Sequence, residues 1–315
     1  MPTAHTYLFS DACPSDWLVD GQDDVWHTIV NLVFQSNPQL ASSIQEGKSH
    51  EEVLPLDPLY VRFTSQIQSE LPSGQLWKWG TGPGYRDRFC RAFTAAQPAL
   101  RPLVSACSFQ EKVLRASKAA LLASYNHRIG GIEGRGISFE EFTDDKGRLR
   151  MKHSFLNFHG HHEIQGLEHQ ILVLLFMAWF IADQYGFFFR DMVGSGRYGF
   201  DQLHLTVVSD KLSGDDDFRR RMEQNLRHLI DPENDGAPIA LVRSKVSDAF
   251  SGDLLVDNLA GWLTAAMNDP FSTFGEYARS LIHSGIWTGW HHLQPSTSKL
   301  EALPAIERLT SAKRA

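Results

Sequence analysis

Leu254-Leu-Val-Asp-Asn-Leu-Ala-Gly-Trp-Leu263 is an apolar helical run interrupted by one carboxylate, Asp257, at a place where only packing residues would be expected. An ionised Asp facing a core is costly unless a cation or hydrogen bonds compensate it. Asp257 makes most sense if it looks across at other acids and shares a metal ion with them. The plain alternative is a solvated Asp on the rim of the helix. What separates the two is whether partner acids exist elsewhere.

Three candidates stand out. Thr6–Ser10 (Thr-Tyr-Leu-Phe-Ser) reads as a short strand and runs into Asp11, a usual place for an active-site group in an open α/β sheet. Asp11 as a mere turn cap is the competing reading. Leu203–Ser209 is the clearest strand in the chain and ends in Asp210. Glu163, in His159-Gly-His-His-Glu-Ile-Gln-Gly166, is expected to open a core helix after a Gly/His turn. Carboxylates from distant segments suit Mg²⁺ or Mn²⁺, hard ions that take oxygen ligands and keep several waters. Two such ions about 4 Å apart activate the attacking water and stabilise the leaving oxygen in phosphodiester cleavage.

Four pieces of the chain resemble an uncharacterised RNase H-like family known only as a domain of unknown function. They are Phe9-Ser-Asp11-Ala, His162-Glu163-Ile-Gln-Gly166, Val207-Val-Ser-Asp210-Lys and Val256-Asp257-Asn-Leu-Ala-Gly261. Ser244 and Lys245 also resemble the Asp/Ser-Lys-Ser run that precedes that family's last helix. Ala12 departs from the pattern, where a Glu usually follows the first Asp; Leu254 and Val256 depart from the usual Gln and Ala. The resemblance implies an RNase H-like mixed sheet flanked by helices, with Asp11, Glu163, Asp210 and Asp257 holding divalent metal. It also implies a place in phage defence or a mobile element, with protein partners there.

The rest of the chain fits an α/β class. It is 315 residues long, with 42% hydrophobic and 21% charged residues, enough to bury a sizeable core. A net charge of -7 argues against broad affinity for nucleic acid, so any such contact must be local. Cys13, Cys90 and Cys107 are far apart, which fits a reducing, cytoplasmic setting without a zinc ribbon. No signal peptide is visible. Ile171–Ala182 is an apolar run of twelve residues, short of the roughly 20 that a membrane span needs, and reads as a buried helix.

Helices are expected over Asp24–Phe34, Gln110–Tyr125, Asp215–Leu229 and Asp253–Met267, and strands at Arg101–Ser108 and Ile239–Arg243. Ile137–Phe142 and Arg148–Phe158 alternate around Asp144-Asp-Lys-Gly147 as a hairpin. Residues 45–85 look irregular. The organisation expected is one RNase H-like domain over 1–295, an insertion at about 45–158, and a polar tail over 296–315.

Other stretches compete as sites. His159, His161, His162 and His169 crowd together, and His162 and His169, two helical turns apart, could share a face for zinc. The His-Glu-x-x-His pattern is absent, so these histidines either line a polar cleft, with His162 a candidate proton carrier, or are plain surface histidines at a helix start. Trp77-Lys-Trp-Gly-Thr-Gly-Pro-Gly84 reads as a tight turn rather than a phosphate loop. Ser195 lacks a hydrolase elbow, and Arg219-Arg-Arg221 is expected on a solvated helix face. Trp287 and Trp290 could stack on bases, although packing is their default role.

The function expected is a metal-dependent phosphodiester hydrolase, a nuclease acting on DNA or RNA through Asp11, Glu163, Asp210 and Asp257. The alternative is a non-catalytic nucleic-acid-binding or assembly subunit on a degenerate scaffold, the reading that Ala12 favours.

Overall fold

The computed structural model describes residues 3–13, 24–35, 54–71, 74–100, 103–113, 139–155, 158–163, 202–209, 239–245, 251–283, 287–295 and 300–311, with isolated residues 116, 180, 223, 226 and 227. Ten strands are described: β1 (Thr3–Cys13), β2 (Trp26–Gln35), β3 (Leu103–Gln110), β4 (Phe139–Thr143), β5 (Leu149–Phe155), β6 (Phe158–Glu163), β7 (Gln202–Val208), β8 (Ile239–Lys245), β9 (Trp287–Pro295) and β10 (Leu300–Pro304). The described helices are α1 (Pro58–Ser69), α2 (Pro83–Leu100), α3 (Ser251–Asn268), α4 (Thr273–His283) and α5 (Ala305–Ser311).

The protein is α/β. Seven strands form one mixed sheet in the order β10-β9-β3-β2-β1-β7-β8. β1, β2 and β3 are an antiparallel meander, whereas β7 joins β1, and β8 joins β7, in parallel. On the far side β9 lies parallel to β3, and β10 returns antiparallel to β9. β4, β5 and β6 make a separate antiparallel sheet.

β2 was expected as a helix. Its residues alternate instead: Trp26, Val30, Leu32 and Phe34 join the main core cluster, while His27, Ile29 and Asn31 are buried on the opposite face. A strand buried on both faces is apolar at positions that also fit a helical period. The β-branched Thr28, Ile29, Val30 and Val33 favour the strand.

Residues 45–85 were expected to be irregular, yet they contain α1 and the start of α2. Pro83 does not break α2; it starts it, at the helical position where its missing N–H costs least. β3, inside the span expected to be an insertion, runs through the interior of the main sheet. The segment expected as a loose tail supplies edge strand β10 and helix α5, whose Ala305 and Leu309 are buried.

The 139–155 hairpin forms as expected. Asp144 accepts the amides of Lys146 and Arg148, each at 2.9 Å, and Gly147 takes the positive φ of 71° that the turn needs. The expected strands at 203–209 and 239–243 and the expected helix at 253–267 are also present. Most of Ile171–Ala182, Asp215–Leu229 and Gln110–Tyr125 lies outside the described residues. Among the described residues, no helix is long and apolar enough to cross a membrane.

The core lies between the sheet and the helices. α3 packs over β1 and β2 and against α2, α4 and α5. Trp262 on α3 meets Phe93 and Tyr277 edge-on, with ring centroids 6.2 and 6.4 Å apart. It is fully buried, a burial of about 1.5–3 kcal/mol for a side chain of this kind.

Candidate functional site

α3 meets β1 through a glycine. A Cβ on Gly252 would stand 2.5 Å from the Phe9 ring, and the Gly252 amide donates to the Tyr60 hydroxyl at 2.9 Å. Twelve residues on, the Thr264 hydroxyl donates to the Cys13 carbonyl at 3.1 Å. The helix therefore runs in the direction of β1, from Phe9 toward Cys13. Asp11 is two residues past Phe9 and Asp257 five past Gly252, advances of ~7 Å in each case.

Asp257, Gly261, Thr264 and Asn268 follow an i, i+4, i+7, i+11 spacing and share one side of α3. Thr264 and Asn268 on that side bond the ends of β1 and β2, Asn268 by accepting the Trp26 amide at 3.0 Å. Asp11 is 5% exposed and, by strand alternation, shares the face of β1 that carries Phe9. Its Oδ1 accepts the adjacent Ala12 amide at 2.7 Å.

Asp257 has a second job. Its Oδ2 accepts the Trp79 amide at 2.7 Å, and Asn258 donates from Nδ2 to the Trp77 carbonyl at 2.6 Å. A Cβ on Gly261 would overlap the Trp79 indole, so the glycine is the seat of that ring. Arg86 closes the other side, with its guanidinium 5.1 Å from the ring centroid and its Nε donating to the Trp79 carbonyl at 2.8 Å. The Tyr85 hydroxyl accepts the Trp77 amide and donates to the Trp77 carbonyl, both at 2.8 Å. Burial, with a smaller contribution from the nearby Asp257 charge, pushes the Tyr85 phenol above its ordinary value. The Asp-Asn-Leu-Ala-Gly motif thus clamps the 77–81 turn.

The other expected site residues fare differently. β7 runs beside β1 and its last residue, Val208, stands opposite Phe9; Asp210, two residues further, lies outside the described residues. Glu163 and His162 were expected at a turn and a helix start, but they are the last two residues of β6. Period-two pairing explains this, since Glu163 stands in register with Arg150 and His161 with Lys152. A two-turn helical pairing of His162 with His169 therefore does not arise. The side chains of His162 and Glu163, and the whole of His169, Ser195 and Arg219-Arg-Arg221, lie outside the described residues. Trp290 is a packing residue, 5% exposed, with its Nε1 donating to Ser108 Oγ at 2.9 Å.

Sequence reading passed over one buried ionisable pair. His27 and Glu111 lie with Nε2 and Oε2 3.9 Å apart, and the imidazole stacks on Phe109. The mistaken helix at 24–34 hid the signal.

Among the described residues, no three His, Cys, Asp or Glu side chains group closely enough to hold a metal ion. Asp11 and Asp257 supply hard oxygen donors of the type that suits Mg²⁺ or Mn²⁺. Each accepts a backbone amide, and a carboxylate has about four lone-pair sites in all. Hydrogen-bonded carboxylates are in fact the usual metal ligands.

Fold and site together define an α/β protein with acids on β1 and on its closing helix. Comparison with family models, with characterised proteins and with solved structures gave no match.

Proposed function

We propose that this protein is a metal-dependent phosphodiester hydrolase of RNase H-like type, a nuclease. What supports the reading is a buried acid on β1, Asp11, together with a second acid, Asp257, on the helix that packs over β1. The mixed sheet flanked by helices is compatible with that fold, and β7, the strand that leads into Asp210, is hydrogen-bonded to β1.

Asp11, Asp210 and Asp257 would hold Mg²⁺ or Mn²⁺, with Glu163 a fourth ligand and His162 a proton carrier. Such ions, when bound, supply an activated water and charge stabilisation at the leaving oxygen. Asp11 contributes a carboxylate kept from bulk water, and the Trp79 amide orients the carboxylate of Asp257. The test is incubation with single- and double-stranded DNA and RNA under Mn²⁺. Cleavage by the native chain and none by Asp257→Asn supports the reading; equal cleavage by both, or by neither, refutes it.

A second reading, a non-catalytic nucleic-acid-binding or assembly subunit, draws on the Asp257–Trp79 bond, which gives Asp257 a structural reason to be present without any metal. Ala12, 2% exposed where the resembling family has Glu, points the same way. Phage defence or a mobile element, with protein partners from that system, is the setting implied for either reading.

A further inference from the structure

We propose that Trp77 is a stacking platform for an unpaired base of single-stranded nucleic acid, placed beside Asp257 by the clamp that holds the 77–81 turn. This rests on the nucleic-acid reading above and adds a binding residue to it.

Trp77 is 46% exposed, although its backbone is tightly fixed. Its amide and carbonyl are both bonded by the Tyr85 hydroxyl, and the carbonyl also receives Asn258 Nδ2. A large aromatic ring carried to the surface on a pinned backbone loses little conformational freedom on binding, the condition under which it contributes most affinity. Trp79, two residues on, is packed against Gly261 and Arg86 and is buried, whereas Trp77 reaches the surface.

The surroundings suit a nucleic-acid backbone. Lys78 is exposed beside Trp77, and Arg88 is exposed one turn after Tyr85, hence on the same side of α2. Of the two acids nearby, Asp87 is engaged by Arg91 at 2.6 Å and Asp257 accepts the Trp79 amide. In a chain of net charge -7 this is a local basic rim, the kind of contact the composition still allows. Aromatic rings interleaved with cations bind single strands without reading sequence, because every base has a stacking face.

The test is anisotropy with labelled oligonucleotides of about 12 nucleotides, dT and rU, beside an abasic strand of equal charge, in Ca²⁺ so that the strands survive. The native chain should bind dT and rU more tightly than the abasic strand. Trp77→Ala should weaken dT and rU by about fivefold or more, the equivalent of ~1 kcal/mol, and leave the abasic affinity and the melting temperature unchanged. Trp77→Phe should restore most of the loss. Unchanged dT affinity in Trp77→Ala, an equal loss on the abasic strand, or no preference for bases in the native chain would overturn the proposal. Mn²⁺-dependent cleavage is scored separately, so a protein that stacks bases through Trp77 but cuts nothing would refute the nuclease reading alone.

Discussion

The Oδ2 of Asp257 accepts the amide of Trp79 at 2.7 Å across 178 residues of sequence. One carboxylate thereby ties α3, the helix packed over β1, to the turn that carries an exposed tryptophan.

Substitution at Asp257 tests that bond. Asp257→Asn keeps an oxygen acceptor for the Trp79 amide and should cost little stability. Asp257→Ala removes the acceptor and should cost ~1 kcal/mol, the usual worth of a partly buried hydrogen bond. Urea denaturation of the two variants checks this; equal losses would show that the bond does not hold the turn.

Gly261→Ala should be worse. The new methyl must displace the Trp79 indole, which is itself held by Arg86 and lies 5.4 Å from Phe274. Forced repacking of this kind costs about 1–3 kcal/mol. A lowered melting temperature and a shifted tryptophan emission are expected, and a melt identical to the native one would contradict the clamp.

Ser108 links three strands. Its Oγ lies 2.7 Å from Thr28 Oγ1 and accepts Trp290 Nε1 at 2.9 Å, all in the interior of the sheet. Ser108→Ala leaves the indole N–H without that acceptor and should cost about 1–3 kcal/mol, whereas Ser108→Thr, which keeps a hydroxyl, should cost less. Chemical denaturation measures the order.

His292 gives a pH dependence of defined sign. Burial, followed by the Arg308 charge, lowers its pKa below the ordinary 6.5, with opposing help from Glu307 and the Pro304 carbonyl and a further lowering by His291. The unfolded chain then takes up a proton at a pH where the folded chain does not. This contribution is absent above the unfolded value and destabilises progressively as pH falls from about 6.5 through the folded value. His292→Gln should lose less stability than the native chain between pH 7 and pH 5; an equal slope in the two proteins would remove His292 from the account.

How far the sequence discloses all this depends on the number of buried faces each element has. The 139–155 hairpin and the strand at 202–208 were legible because turn chemistry or a dense β-branched run marks them locally. β2 was not, since burial on both faces erases the alternation that distinguishes strand from helix. Asp257 was legible as an acid out of place, but its partner was a backbone amide in a turn 178 residues away, which no spacing encodes. Trp77 was passed over for Trp287 and Trp290 because exposure is a tertiary property; Trp290 proved buried against Ser108. The His159–Glu163 stretch failed for a local reason, its glycine and histidines suggesting a turn where pairing with β5 makes a strand.

The most direct test of the central claim is a thermal melt with and without Mn²⁺ on the native chain and on Asp11→Asn. A ligand that binds only the folded state adds about 2.7 kcal/mol at a hundred times its dissociation constant. The native chain should therefore melt several degrees higher with Mn²⁺ and Asp11→Asn should not respond. An equal rise in both proteins, or none in the native chain, would contradict a metal site at Asp11.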